Sequence, residues 1–257
     1  MTSWRHPAIQ AVEIWNYMHN LVDQFLPWRL REAYRLLTRP RAHISAPDAR
    51  VLAIWDRLAR KRSVAGISGL DCHTFSVPLT RLELFPYEDL FATVRTHVLA
   101  PPSFAGASEG RPALCGTGGD RHARRDASPS PVRQEQVLLE AIRQSRCFVA
   151  NDYVADARGT RYWAECACGA TLSMGDRHVC RGRATLRVSL PRAALIRIIC
   201  DGRSVAERQA SSLDAPADLP GVYRVEAYLD GKPWIFTNHI ALLSADESRE
   251  ASACPTN

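Results

Sequence analysis

Lysine is almost missing from this chain. Of 33 basic residues only Lys61 and Lys232 are lysines, and the rest are arginines scattered among 27 acids. The net charge of +6 and the pI of about 9.0 invite a nucleic-acid partner. No basic stripe with interleaved aromatics gathers, however, so nucleic acid is disfavoured as a ligand. Long apolar runs are also missing. None approaches the roughly 20 residues that span a bilayer, which disfavours a membrane partner. The start, Met1-Thr2-Ser3-Trp4-Arg5-His6-Pro7, lacks the basic-then-apolar layout of a secretion signal, and the expected compartment is the cytoplasm. Close Cys pairs of the C-x2–4-C kind are absent as well, which argues against the common structural zinc sites.

What is present is an ordinary globular composition, 46% hydrophobic and 23% charged, over 257 residues. Eight cysteines without a secretion signal read as thiols rather than a disulfide framework. Cys72, Cys115, Cys147, Cys200 and Cys254 are isolated. Cys166-Ala167-Cys168, with His178 and Cys180 beyond, has the residue types of a zinc cluster. A C-x-C bite on one strand is nonetheless poor for a tetrahedral ion, so these also read as thiols.

Three pieces follow from periodicity. In residues 1–99, Ala11–Asn16 reads as a strand and helices are expected at about Pro27–Leu37 and Asp48–Arg60. Val51, Ile54, Trp55 and Leu58 line one face of the second helix. A buried strand ends near Ser68, and a helix is expected from Tyr87 to about Leu99. This alternation argues for βαβ units and parallel pairing. Residues 100–131, rich in Pro, Gly, Ser and Arg, read as a loop or linker. Gly116-Thr117-Gly118-Gly119-Asp120 within it has no preceding strand and no following Gly-Lys-Ser/Thr to make a phosphate loop.

Residues 132–243 begin with a helix at about Val132–Arg146. Short strands follow at Arg161–Cys166, Ala184–Leu190, Leu195–Cys200, Gly221–Leu229 and Trp234–Leu242, separated by turn signals such as Asp201-Gly202 and Asp230-Gly231. This pattern predicts a small antiparallel β-sandwich. Residues 244–257 read as a disordered tail.

The triplet most suggestive of chemistry is Asp71-Cys72-His73, just past the strand that ends near Ser68. A carboxylate and an imidazole at i and i+2 beyond a strand's end can share zinc, manganese or iron. Glu13, on the first strand, and His43 and His97 are the other titratable groups weighed near it. Each reads more simply as a hydrogen-bonding group than as a ligand. Trp15, Trp55, Tyr87 and Phe91 read as core.

Several segments taken in order resemble one family. They are Ala11–Met18, Leu52-Ala53-Ile54-Trp55-Asp56, Gly69–His73, Phe85–Phe91 and Arg95–Leu99, then Met174-Gly175-Asp176, Gly221–Tyr228 and Trp234–Asn238. Together they are similar to the C-terminal half of PHP (polymerase and histidinol phosphatase) metallohydrolases, in the branch that includes carbaryl-hydrolase-like proteins. The likeness spans nearly the whole chain except the 100–131 loop and the tail after Leu243.

The resemblance implies an α/β plus β fold: the last strands and helices of a seven-stranded PHP-type α/β barrel, followed by the β-sandwich. It implies two or three metal ions that activate water against phosphoesters or related esters. Asp71 and His73 match the Asp-x-His that ligates metal at the end of the last barrel strand, with Cys72 in place of the usual small residue. The family's opening His-x-His, its middle acid and its further histidines have no counterpart before Glu13. The expectation is therefore an incomplete metal-dependent hydrolase, with its divalent metal weakly bound or absent in this chain alone and a small ester or phosphoester as its substrate if active. The alternative is a non-catalytic remnant or binding module built on the β-sandwich. No residue is identified as directly catalytic, and no oligomeric state is indicated.

Overall fold

A computed structural model describes residues 6, 8–17, 44–71, 75–76, 83–84, 87–100, 131–180 and 182–244. Two expected features, the helix at Pro27–Leu37 and the glycine-rich 116–120 segment, lie outside these residues, as does nearly all of the 100–131 loop and of the 244–257 tail.

β1 (Ala11–Asn16), α1 (Ala49–Lys61) and β2 (Ala65–Gly69) make one βαβ-type unit, in which β1 and β2 pair in parallel from Ala11↔Ala65 to Asn16↔Gly69. Asp48 starts α1, its carboxylate accepting from Arg50 N at 2.7 Å. Arg60 and Lys61 in the last turn complement the helix dipole. Trp55 faces inward from α1, fully buried, and donates from Nε1 to Val64 O at 2.8 Å. Its ring lies where a side chain on Gly66 would be, since a Cβ there would come within 2.4 Å of the indole. Trp55 and Gly66 are thus a fitted pair.

Further along come β3 (Phe75–Ser76), β4 (Glu83–Leu84) and a short helix, α2 (Tyr87–Phe91). The helix expected to reach Leu99 stops after one turn. Thr93 closes it, both its N–H and its hydroxyl donating to Leu90 O, and β5 (Val94–Val98) follows. Val94, Thr96 and Val98 are β-branched at alternate positions, so the strand wins over the helical reading of the same apolar spacing. Tyr87 and Phe91, expected in the core, are exposed and stacked on each other.

After α3 (Pro131–Arg143), the chain is nearly all strand: β6 (Cys147–Asn151), β7 (Arg161–Cys166), β8 (Thr171–Ser173), β9 (Arg177–Val179), β10 (Ala184–Cys200), β11 (Arg203–Ala217), β12 (Gly221–Leu229), β13 (Lys232–Thr237) and β14 (Ile240–Leu243). These strands and β5 form one ten-stranded sheet with a main path β5-β6-β13-β12-β10-β7-β8. β11 adds on β10, and β14 pairs with both β12 and β9.

The expected α/β barrel is therefore corrected. The fold is mostly antiparallel β, a curled half-barrel sheet, and the only parallel pairs among the described residues are β1–β2 and β9–β14. The βαβ signal in the first 99 residues is local, and it does not propagate because β5 turns antiparallel against β6.

The curl has a cause in the sequence. β10 was expected as two strands, Ala184–Leu190 and Leu195–Cys200. It is one long strand whose pairing with β11 shifts between Ser189 and Ala194. Its first half pairs with β7 and its second with β12, so the bulge falls where one neighbour gives way to the other and the strand bends between them. Two hairpins use the Asp-Gly signals, with Asp201 and Gly202 at φ 49° and 81° and Asp230 and Gly231 at φ 50° and 74°. The core inside the curl holds Leu186, Ile196, Ile198, Val225, Trp234 and Ile240, all buried. A second cluster packs β1, α1 and Val64, just before β2, against Val149 and Phe236 of the sheet.

Candidate functional site

The Asp71 corner comes directly off β2. Parallel pairing brings the C-terminal ends of β1 and β2 together. The Glu13 carboxylate lies over Gly69, where a Cβ would come within 2.1 Å of Oε2. Glu13 also accepts from Asn16 Nδ2 at 2.6 Å. Asp71 is exposed and has φ 45°, a left-handed conformation that Asp adopts more readily than most residues. His73, the other expected ligand, and Cys72 lie outside the described residues, as does His43. His97 is not near a metal-type set. Its Nε2 is 3.0 Å from both Asp152 oxygens and its ring stacks on Phe148, the satisfied arrangement expected of it.

The structure gathers residues that the linear spacing seemed to separate. Cys166 is the last residue of β7, and Cys168 sits in the tight turn to β8, closed by Gly169 N–H donating to Cys166 O at 2.9 Å. Gly169 takes φ 88°, open to glycine at no steric cost. His178 lies in the middle of β9. Ligand atoms of Cys166, Cys168 and His178 all fall within 4.8 Å of one another. Cys168 Sγ is 3.7 Å from His178 Nε2. Cys180, one residue past β9, is close enough to act on Cys166. Burial pushes the Cys166 thiol up to about 12, and the neighbouring Cys180 and Cys168 thiols push the same way. The strand-bound C-x-C bite judged too poor for an ion is relieved by the turn, which aims both sulfurs toward β9.

A third group is buried and ionic. Arg224 on β12 donates to both carboxylate oxygens of Asp56 on α1, at 2.8 and 3.2 Å, and also to Glu226. His239, between β13 and β14, meets Asp56 Oδ1 through Nε2 at 2.7 Å and packs edge-on against Trp55. Burial raises the Asp56 carboxyl, but hydrogen bonds from His239 and Arg224 outweigh it and leave Asp56 below its ordinary value. Burial also holds His239 below its usual value, against the opposing pull of Asp56, so the ring is neutral at pH 7 and donates from Nε2. Trp55-Asp56 was visible in the sequence, but nothing in the pattern pointed to its partners more than 160 positions away. The network joins α1 to the sheet, and its groups are buried away from any substrate.

One larger cavity, of about 370 Å³, lies against β7 and β8 and is lined by Leu99, Tyr162, Trp163, Leu172, Met174 and Asp176 among others. Its one carboxylate, Asp176, is engaged by the Ser173 N–H at 2.7 Å.

No family model, no curated protein and no solved structure matches this chain. Among the described residues, no helix is long and apolar enough to cross a membrane.

Proposed function

We propose that this chain contributes to a metal-dependent hydrolase of phosphoesters or related esters, supplying Asp71 and His73 to a divalent zinc, manganese or iron ion. The observation that carries the reading is the position of Asp71, two residues past Gly69, where the parallel β1–β2 pair ends and the Glu13 carboxylate lies over Gly69. In open α/β units, ligands gather outside the carboxyl ends of the strands. Two ligands from one corner hold an ion weakly, and a water-activating centre needs at least three protein ligands with a position left for water. The reading therefore requires ligands besides Asp71 and His73, and it carries a cytoplasmic location with no membrane or nucleic-acid partner.

The test has two parts. Manganese titration of the chain should show weak binding that is lost in both Asp71→Ala and His73→Ala. Turnover of a chromogenic phosphoester should be negligible for residues 1–257 alone and should appear only when the remaining ligands are restored. Unchanged manganese binding in both variants would remove Asp71 and His73 from the metal. A second reading, a non-catalytic binding module, is favoured by one fact. Among the described residues, the sole His/Cys/Asp/Glu group with metal-like spacing is the Cys166–Cys168–His178 cluster, which does not include Asp71.

A further inference from the structure

We propose that Cys166, Cys168, His178 and Cys180 bind one zinc ion in a closed structural site that clasps β7 to β9. Three observations converge. The first is the donor set. Thiolate and imidazole ligands select zinc over the harder ions that oxygen ligands take. Four protein ligands also leave no open position for water, which makes the role structural.

The second observation is distance. Zinc bonds of about 2.3 Å to sulfur and about 2.0 Å to nitrogen, at a tetrahedral angle, place two ligand atoms roughly 3.5 Å apart for S···N and about 3.8 Å for S···S. Cys168 Sγ and His178 Nε2 stand 3.7 Å apart, and the three gathered ligand atoms fit within 4.8 Å. A neutral thiol and an imidazole gain little from such a separation, whereas one ion between them would use it fully. Cys180 lies outside that 4.8 Å group, next to Cys166, and joins as the fourth ligand when the ion binds. Its own weak contacts are to Gly182 O and Arg183 O at 3.7 and 3.9 Å, and Ala167 N–H donates to that same Arg183 carbonyl at 2.9 Å. The loop after β9 is thereby held against the turn that carries Cys166 and Cys168.

The third observation is topology. β7 pairs with β10 and β8, while β9 pairs with β14, and among the described residues no ladder joins β7 to β9. A clasp at this point bridges two strands that do not pair directly, beside the one Ala167–Arg183 backbone hydrogen bond that holds their flanking loops together. Cys166 is buried and His178 half-buried, while Cys168 is exposed, so the site sits at the rim with an entry path for the ion.

The experiment uses the full chain purified under reducing conditions. Metal analysis should find about one zinc per chain. Replacement by cobalt(II) should give the intense visible bands of a tetrahedral site together with thiolate-to-cobalt charge transfer. Cys168→Ser and His178→Ala should each lower zinc affinity by more than the roughly 10–100-fold that loss of an outer-shell partner costs. Cys200→Ser, a thiol outside the cluster, and Asp71→Ala should both keep the zinc, which separates this site from the Asp71 corner.

Cys168 is exposed and its turn depends on Gly169, so Cys168→Ser should stay folded by circular dichroism. A folded chain without zinc, a full zinc equivalent retained in both ligand variants, or a Cys166–Cys180 disulfide found by thiol mapping would each overturn the assignment.

Discussion

Two seams in this fold are closed by opposite chemistries. Where α1 meets β12, the contact is dry: Asp56, Arg224, Glu226 and His239 are all buried and bonded to one another. Where β7 meets β9, the contact sits at the rim, and its side chains are thiols and an imidazole that make almost nothing of each other directly. In the first seam the protein carries both signs of charge, and each neutralises the other. In the second it carries only electron-pair donors, and the positive charge must come from outside. A buried ion pair is self-sufficient but intolerant of losing a partner. A Cys/His cluster is idle until an ion arrives.

The largest effect should come from breaking the dry seam. Asp56→Ala strands the Arg224 guanidinium, 3% exposed, with Glu226 as its remaining partner. Loss of one member of a buried pair costs about 3–5 kcal/mol, because an uncompensated charge stays out of water. Urea unfolding should show the midpoint falling steeply, and a loss below about 1 kcal/mol would mean that the seam opens to solvent. The rim seam should respond more modestly, and only through its ion. With free zinc at a hundred times Kd, binding contributes about 2.7 kcal/mol, which a strong chelator removes. Thermal melts with and without chelator should differ for the native chain and coincide for His178→Ala.

The two seams also differ in how far the sequence revealed them. Local features were legible. β1 runs over the predicted Ala11–Asn16, α1 lies within a residue of its expected bounds, and both Asp-Gly turns close hairpins. Global features were not. β11 carries Arg203, Glu207, Arg208 and Asp214 and buries only Leu213, Ala215 and Ala217, so no apolar alternation marks it until its last turn of pleat. As an edge strand it tolerates even Pro216, which a central strand would reject. β5 was misread because apolar spacing over five residues does not separate helix from strand. The thiol cluster escaped for another reason. Ligand spacing along the chain was judged on a straight strand, whereas the turn at Gly169 re-aims Cys168. Asp71 and His73 were singled out by sequence, but only the first falls within the described residues.

Acid should loosen the dry seam before it reaches any carboxylate. His239 has a folded-state pKa below its ordinary value of 6.5, chiefly because it is buried. The unfolded chain therefore binds a proton that the folded chain refuses, and stability falls as pH drops below about 6.5 toward the depressed folded value. Asp56 has the same sign at lower pH, since its stabilising charge is lost only as pH falls through its own lowered value. Melting temperatures between pH 8 and pH 5 should decline on the acid side. In His239→Gln that decline should be shallower, whatever the variant's absolute stability. An identical slope in the two proteins would show that His239 does not set this pH dependence.

The smallest effect tests whether burial, rather than pairing, gives the first seam its strength. Arg60, near the end of α1, reaches Asp201 in the β10–β11 turn at 2.9 Å, nearly the 2.8 Å that separates Arg224 from Asp56. The chemistry is the same, but Arg60 is 45% exposed where Arg224 is 3% exposed. Water already solvates the Arg60 guanidinium, so its carboxylate partner replaces hydration instead of rescuing a stranded charge. Arg60→Ala should therefore cost no more than about 0.2–1 kcal/mol and should cost less still at high salt, where exposed pairs are screened. Denaturant curves at low and high ionic strength measure both quantities. A loss approaching that of Asp56→Ala, or one insensitive to salt, would mean that the Arg60–Asp201 contact is part of the dry seam and not a solvated clasp at its edge.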